Sequence, residues 1–267
     1  MEENKSEEIL KLSKWKQQDL GLDKAMVNYL RRDLKFNKIT KVQREVIPLF
    51  AKNKDVSVKA CTGSGKTLAY VLSALQILLN DDINSENPPK KDELLILILV
   101  PARELANQVY TVLTGFQTLY PYLTFNLCVG GKKITDDIEN FNQVGSNILV
   151  GTVGRIWDFV NRGVLNLKTV KVLIIDEADM FIENLGQTTL SKQVKLSLIM
   201  DRLPKERRTG LFSATMTTEI QELVRAGLRN PYYVEIFSYK DEVMRQYYEP
   251  FAIEDLREEY SKVEEFQ

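Results

Sequence analysis

A chain of 267 residues, 44% hydrophobic and 27% charged, is long enough to bury one sizeable core and needs no disulfide or metal to hold it together. Its formal net charge of -1 excludes a globally basic nucleic-acid binder, so any grip on nucleic acid must come from a local arrangement. With no histidine in the sequence, histidine-based triads, acid–base steps and metal sites are excluded.

The opening residues "MEENKSEEIL" are acidic where a secretory signal carries a basic patch and then an apolar stretch. The longest apolar run, "LLILILV" at 94–100, is far short of the ~20 residues that a membrane helix requires. Cys61 and Cys128 are too few and too poorly placed for a disulfide framework. A soluble protein of a reducing compartment, cytosolic or nuclear, is expected.

Taken in chain order, residues 22–34 ("LDKAMVNYLRRDL") have helical spacing and lead into "KFNKITKVQ". From residue 55, short runs rich in Val, Ile and Leu alternate with amphipathic stretches of helical length. Strands are predicted at 55–60, 94–100, 124–129, 147–150, 171–175, 209–213 and 232–236. Unbroken runs such as "LLILILV" and "KVLIID" suit strands buried on both sides, which predicts an α/β fold, a mainly parallel sheet with helices on both faces. Leu95, Ile98 and Leu173 are expected to be plain core. The polar stretch 80–93 ("NDDINSENPPKKDE") is expected to be a mobile surface loop. Residues 1–54 are assigned to an N-terminal helical segment of the same domain and 55–236 to the main body. Residues 237–267, acidic and without the strand–helix alternation, are assigned to a linker or the start of another domain.

The first strand runs into "ACTGSGKT" (60–67), and Lys66-Thr67 opens an apolar helix. Strand, glycine loop and helix in that order are the context of a P-loop. Gly63 and Gly65 let the N–H groups of Thr62 to Thr67 turn inward around phosphate oxygens, and the helix N-terminus adds partial positive charge. Lys66 would reach the terminal phosphates and Thr67 would offer its hydroxyl to Mg²⁺. Ala60 stands where the strict pattern has glycine. By itself the loop leaves kinases, GTPases and motor ATPases open.

"KVLIIDEAD" (171–179) narrows the choice, because a buried strand ending in Asp176-Glu177 delivers two carboxylates to the sheet edge that carries the P-loop. Asp176 would hold Mg²⁺ through its waters, and Glu177 would orient and polarise the attacking water. "PARELA" (101–106), Gly130-Gly131, "TVGR" (152–155) and "SAT" (213–215) complete a set of short motifs, each at a strand end.

With these motifs in this order, residues 15–236 resemble the first of the two RecA-like domains of the DEAD-box ATP-dependent RNA helicases. The resemblance implies ATP and Mg²⁺ as cofactors and catalytic roles for Lys66, Asp176 and Glu177. It also explains Ala60, since "ACTGSGKT" is the family's form of the loop. Gln43 matches the glutamine that reads the adenine edge, with Phe36 and Thr40 beside it. Trp15 loosely matches the aromatic that stacks on adenine. Lys35-Phe36 and Ile39-Thr40-Lys41 depart from the family's Gly-Phe and Pro-Thr-Pro.

RNA contacts are implied at Pro101, Ala102, Arg103, Glu104, Gly130, Gly131, Thr152, Gly154 and Arg155. Helix N-termini, backbone N–H groups and hydroxyls there would grip successive phosphates with little sequence specificity. Thr152 is also placed to cap the helix "VGRIWDFV", and Arg103 and Arg155 would bring positive charge. Ala102 replaces a threonine and Val153 a proline of the family pattern. Ser213 and Thr215 would hydrogen-bond toward Asp179 and couple nucleotide state to RNA grip.

Hydrolysis in the family takes an arginine finger from a second RecA-like domain, and the chain is read as the N-terminal part of a longer helicase that binds ATP-Mg but hydrolyses it poorly alone. Residues 207–236 and 48–67 look most like the subgroup acting in large-ribosomal-subunit assembly. That implies pre-ribosomal RNA and pre-ribosomal particles as partners and a nuclear, nucleolar location, with the cytoplasm as alternative. A nucleotide-gated RNA or protein docking module without catalysis is the competing reading. A P-loop enzyme acting on DNA or a small phosphoryl acceptor is a third.

Overall fold

In the computed structural model, which describes residues 20–36, 38–182 and 191–237, the apolar runs become seven strands. They are β1 (Val56–Ala60), β2 (Ile96–Val100), β3 (Phe125–Cys128), β4 (Ile148–Thr152), β5 (Val172–Ile175), β6 (Arg208–Ser213) and β7 (Tyr232–Ile236). Each overlaps its predicted range, with β4 running on to Thr152. The order across the sheet is β3-β4-β2-β5-β6-β1-β7 and the pairings are parallel.

Eight helices connect them: α1 (Lys24–Arg32), α2 (Lys41–Phe50), α3 (Lys66–Asn80), α4 (Arg103–Thr114), α5 (Ile134–Val144), α6 (Val153–Asn161), α7 (Lys192–Met200) and α8 (Thr218–Gly227) among the described residues. None is long and apolar enough to cross a membrane. Because alternate residues of a strand point to opposite faces, Val58, Ile98, Val150 and Ile174 join one core with Met26, Val46, Leu72 and Val109 from α1 to α4. Leu99, Leu149, Leu173 and Ile175 join a second core with Ile156, Ile199 and Ile220 from α6 to α8. The central strands β2 and β5 are clothed on both faces, which is why their sequences read as unbroken apolar runs.

The helix expected over 22–34 is α1, begun by Asp23, whose carboxylate accepts from the N–H of Ala25 and Met26. Lys35, at φ 57, sits in the left-handed region two residues beyond the helix-ending Asp33, at the position where the family pattern has glycine. The stretch 80–93 is not a free loop. Ile83 is buried, Ser146 N donates to Lys91 O at 2.8 Å, and Asn147 Nδ2 donates to Lys90 O at 2.6 Å. Its last residues are thereby fastened to the entry of β4. Trp15 and residues 238–267 lie outside the described residues.

All strands being parallel, the segments after β1, β2, β3, β4, β5 and β6 emerge on one edge of the sheet. Those segments are "ACTGSGKT", "PARELA", the glycine pair, "TVGR", "DEAD" and "SAT". Strand order sorts them further. β3, β4 and β2 stand side by side and end in the three stretches assigned to RNA. β5, β6 and β1 follow and end in the carboxylates, "SAT" and the P-loop.

Candidate nucleotide and nucleic-acid site

The P-loop turns on Gly63 and Gly65, at φ 81 and 95. A Cβ at Gly65 would stand 2.6 Å from Gln43 Nε2, so the position requires glycine both for its backbone and for the close approach. Gly65 leads into α3 without a side-chain cap, leaving the N–H groups of the first turn open to an anion. The buried Ser64 hydroxyl has no hydrogen-bond partner among the described residues. Thr62 is exposed at the mouth of the loop.

Lys66 is almost fully buried. Its ammonium donates to Ala60 O at 2.8 Å and lies 3.3 Å from Glu177 Oε1. Asp176, at the end of β5, is 6% exposed. Its Oδ2 accepts from the Tyr70 hydroxyl at 3.0 Å and its Oδ1 from the Glu177 N–H at 3.0 Å. Burial, and then the neighbouring Glu177 charge, push the Asp176 carboxyl up to about 6, against the smaller opposing pulls of the Tyr70 hydrogen bond and Lys66. Glu177 is held at φ 48, ψ 54, a left-handed conformation that a non-glycine residue adopts at a cost.

These oxygens fit Mg²⁺. A threonine hydroxyl and a carboxylate are hard donors, and one carboxylate beside a phosphate-binding loop is how Mg²⁺ is ordinarily held. Among the described residues no cluster of three or more His, Cys, Asp or Glu forms a self-sufficient metal cage. The acid–lysine group carries one excess negative charge, which a cation would offset.

Beside the loop, a mostly apolar cavity of about 410 Å³ is lined by Tyr29, Leu34, Phe36, Thr40, Gln43, Gly65 and Thr67. It gathers three of the four residues assigned to adenine. Gln43 is occupied: its Oε1 accepts from Thr40 N at 2.9 Å in a capping box that starts α2, and its Nε2 donates to Gly65 O at 3.2 Å. The same amide thus ties α2 to the P-loop.

Across the sheet edge, a groove of about 830 Å³ is lined by all nine residues assigned to RNA. Pro101, Ala102, Arg103 and Glu104 form one wall, Gly130 and Gly131 another, and Thr152, Gly154 and Arg155 the third. Arg103 lies over the glycine pair, and a Cβ at Gly131 would come within 2.5 Å of its Nη1. The N-terminus of α4 at Ala102 and that of α6 at Thr152 carry no side-chain cap, whereas α1, α2, α7 and α8 are capped by Asp23, Thr40, Ser191 and Thr217. The expectation that Thr152 caps its helix is therefore corrected. Its hydroxyl is left for another partner.

Arg155 is corrected as a source of free charge. Its guanidinium pairs with Asp137 and donates to Lys132 O at 2.8 Å, so its charge is offset inside the wall. With Arg103, positive charge is brought by Lys192 and Lys195 on one face of α7, which also line the groove. Sequence reasoning missed both lysines. Lys192 additionally donates to Pro101 O at 3.3 Å.

Between the two halves, Thr215 donates to Asp179 Oδ2 from both its N–H and its hydroxyl, each at 3.1 Å. The expected bond from Ser213 is not made: the Ser213 hydroxyl and Asp179 Oδ1 are both buried without a partner among the described residues.

Comparison with known proteins gives a consistent result. The family described as DEAD/DEAH box helicase matches residues 40–223. The chain is 44% identical over 205 residues to a Xenopus laevis protein named ATP-dependent RNA helicase DDX55, covering 74% of this chain and 33% of that one. It is 43% identical over 202 residues to DEAD-box ATP-dependent RNA helicase 18 of Oryza sativa subsp. japonica, covering 75% and 30%. The crystal structure of a DEAD box protein from the hyperthermophile Methanococcus jannaschii superposes with a TM-score of 0.70 at 33% identity, covering 82% of this chain and 55% of that one. The chain thus spans about a third of the length of these curated relatives.

Proposed function

The chain belongs to the DEAD/DEAH box helicase family, and from that premise we propose that it is the ATP- and RNA-binding RecA-like domain of an ATP-dependent RNA helicase. The observation that carries the proposal is the sorting of six loops along one sheet edge, a phosphate loop with its carboxylates on one side and an open-ended groove on the other. The domain runs from the helices preceding residue 55 to residue 236. Residues 237–267 lead toward a second RecA-like domain.

In this reading the P-loop N–H groups from Thr62 to Thr67 cradle the phosphates, with Ser64 and both glycines in the turn. Lys66 leaves Glu177 to neutralise the terminal phosphate. Phe36, Thr40 and Gln43 receive adenine, with Trp15 as the stacking aromatic. Thr67 and Asp176 would hold Mg²⁺, the carboxylate through metal-bound water, and the ion would supply neutralisation of phosphate charge. Glu177, released from Lys66, positions the attacking water.

RNA lies along the groove with its phosphates on the open N-termini of α4 and α6, on Thr152 and on Arg103, Lys192 and Lys195. Contacts of this kind ignore base identity. Asp179 and Thr215 join the two halves, with Ser213 available as a second donor. Local opening of a duplex follows when a second RecA-like domain closes on the bound strand and bends it. The likeness of residues 48–67 and 207–236 to the ribosome-assembly subgroup supports pre-ribosomal RNA as substrate, pre-ribosomal particles as partners and a nucleolar site of action.

An arginine finger contributes about 10³ to 10⁵ in rate to this class of reaction. The 267-residue chain alone is therefore expected to bind ATP and turn it over slowly, with no stimulation by single-stranded RNA. A steady-state hydrolysis assay with and without RNA tests this division of labour. RNA-stimulated turnover by the chain alone would overturn it.

A further inference from the structure

Tyr70 stands on α3 three residues after Thr67, so the two side chains share one face of the helix. It is fully buried, and its ring packs on Phe212, the residue before Ser213, at a centroid distance of 5.1 Å. The ring alone is ordinary core. The hydroxyl is not, because a buried phenol oxygen is costly unless it is hydrogen-bonded.

Here the phenol O–H donates to Asp176 Oδ2 at 3.0 Å. Asp176 is one of the two groups assigned to Mg²⁺. The Glu177 N–H fixes the other carboxylate oxygen, so Asp176 is held from two directions. Mg²⁺ demands near-ideal octahedral geometry from few protein ligands, which makes their mutual orientation decisive.

We propose that Tyr70 is a positioning residue of the Mg²⁺ site, its hydroxyl holding Asp176 Oδ2 and so setting the orientation in which the carboxylate presents its oxygens. The proposal rests on the nucleotide reading given above. The phenol O–H, donated to Asp176 Oδ2, leaves the remaining lone pairs of the carboxylate for metal-bound water.

The test is Tyr70→Phe in the 267-residue chain, with ATP binding followed by calorimetry across a Mg²⁺ series and in chelator, below the melting temperature of each variant. Loss of a hydrogen-bond partner behind a metal ligand typically weakens metal affinity about 10-fold to 100-fold. The Mg²⁺ midpoint is therefore expected to rise about 10-fold, with ATP affinity in chelator unchanged. In an Asp176→Asn background the same substitution is expected to leave the midpoint where it is.

An unchanged midpoint, or an equal loss of affinity with and without Mg²⁺, would overturn the proposal and leave Tyr70 as a packing residue. Failure of the unsubstituted chain to bind ATP in a Mg²⁺-dependent way would instead overturn the nucleotide reading itself.

Discussion

The Lys66 ammonium lies 3.3 Å from the Glu177 carboxylate, with both side chains largely withdrawn from solvent. The two residues proposed to act most directly in hydrolysis thus hold each other. In the proposed site, phosphate takes Lys66 from Glu177 and so frees the carboxylate to face water.

Lys66→Ala removes the charge-assisted bonds to phosphate, each contributing about 1.5–3 kcal/mol. ATP affinity is expected to fall at least about 10-fold by calorimetry. Glu177 also loses its partner, so urea unfolding of the nucleotide-free variant is expected to show a loss of about 1–3 kcal/mol. Adding Glu177→Gln to the variant should recover part of that loss without recovering ATP binding.

The raised Asp176 carboxyl makes stability depend on pH. Its folded value of about 6 exceeds the ordinary 3.8, so the folded chain holds this proton more tightly than the unfolded chain does. The favourable contribution is complete below about pH 4 and is lost as pH rises through about 6. Asp176→Asn is therefore expected to stabilise the metal-free chain at pH 7.5 by up to ~3 kcal/mol, the upper bound set by the shift. The difference should close as pH falls toward 4 in urea titrations with chelator present.

Arginines 103 and 155 line the same groove but should respond differently. Arg103→Ala, and likewise Lys192→Ala with Lys195→Ala, is expected to weaken single-stranded RNA binding about 3-fold to 10-fold and to reduce the salt slope by about 0.7 for each phosphate no longer neutralised. Arg155→Ala leaves Asp137 and the Lys132 carbonyl without their partner. It should cost about 1–3 kcal/mol in urea unfolding. Anisotropy titrations at several salt concentrations separate the two effects.

Much of this was legible in the sequence because parallel strands buried on both faces leave a plain signature. "LLILILV" and "KVLIID" could hardly be placed elsewhere, and the motifs follow from where those strands end. What was not legible depends on neighbours remote in sequence. Arg155 reads as a free cation until Asp137 from α5 is brought against it. Lys192 and Lys195 lie in a stretch without a motif, and only the packing of α7 beside α6 turns them toward the groove. Tyr70 reads as one more apolar helix position, since nothing local announces that its hydroxyl meets a carboxylate 106 residues away.

The bond from Thr215 to Asp179 carries a prediction about coupling. Thr215→Val removes the hydroxyl donor and keeps the backbone N–H bond, at a cost of about 1 kcal/mol in stability. Affinities for ATP and for RNA measured separately are expected to persist. The factor by which one ligand strengthens the other should fall toward one, read by RNA anisotropy with and without a non-hydrolysable ATP analogue.

The most direct measurement of the central claim is calorimetric titration of the 267-residue chain with ATP in Mg²⁺, beside Lys66→Ala. Binding by the unsubstituted chain that is lost with Lys66→Ala is the predicted result. Binding that survives Lys66→Ala unchanged, or no binding at all, would contradict the claim that this sheet edge is a nucleotide site.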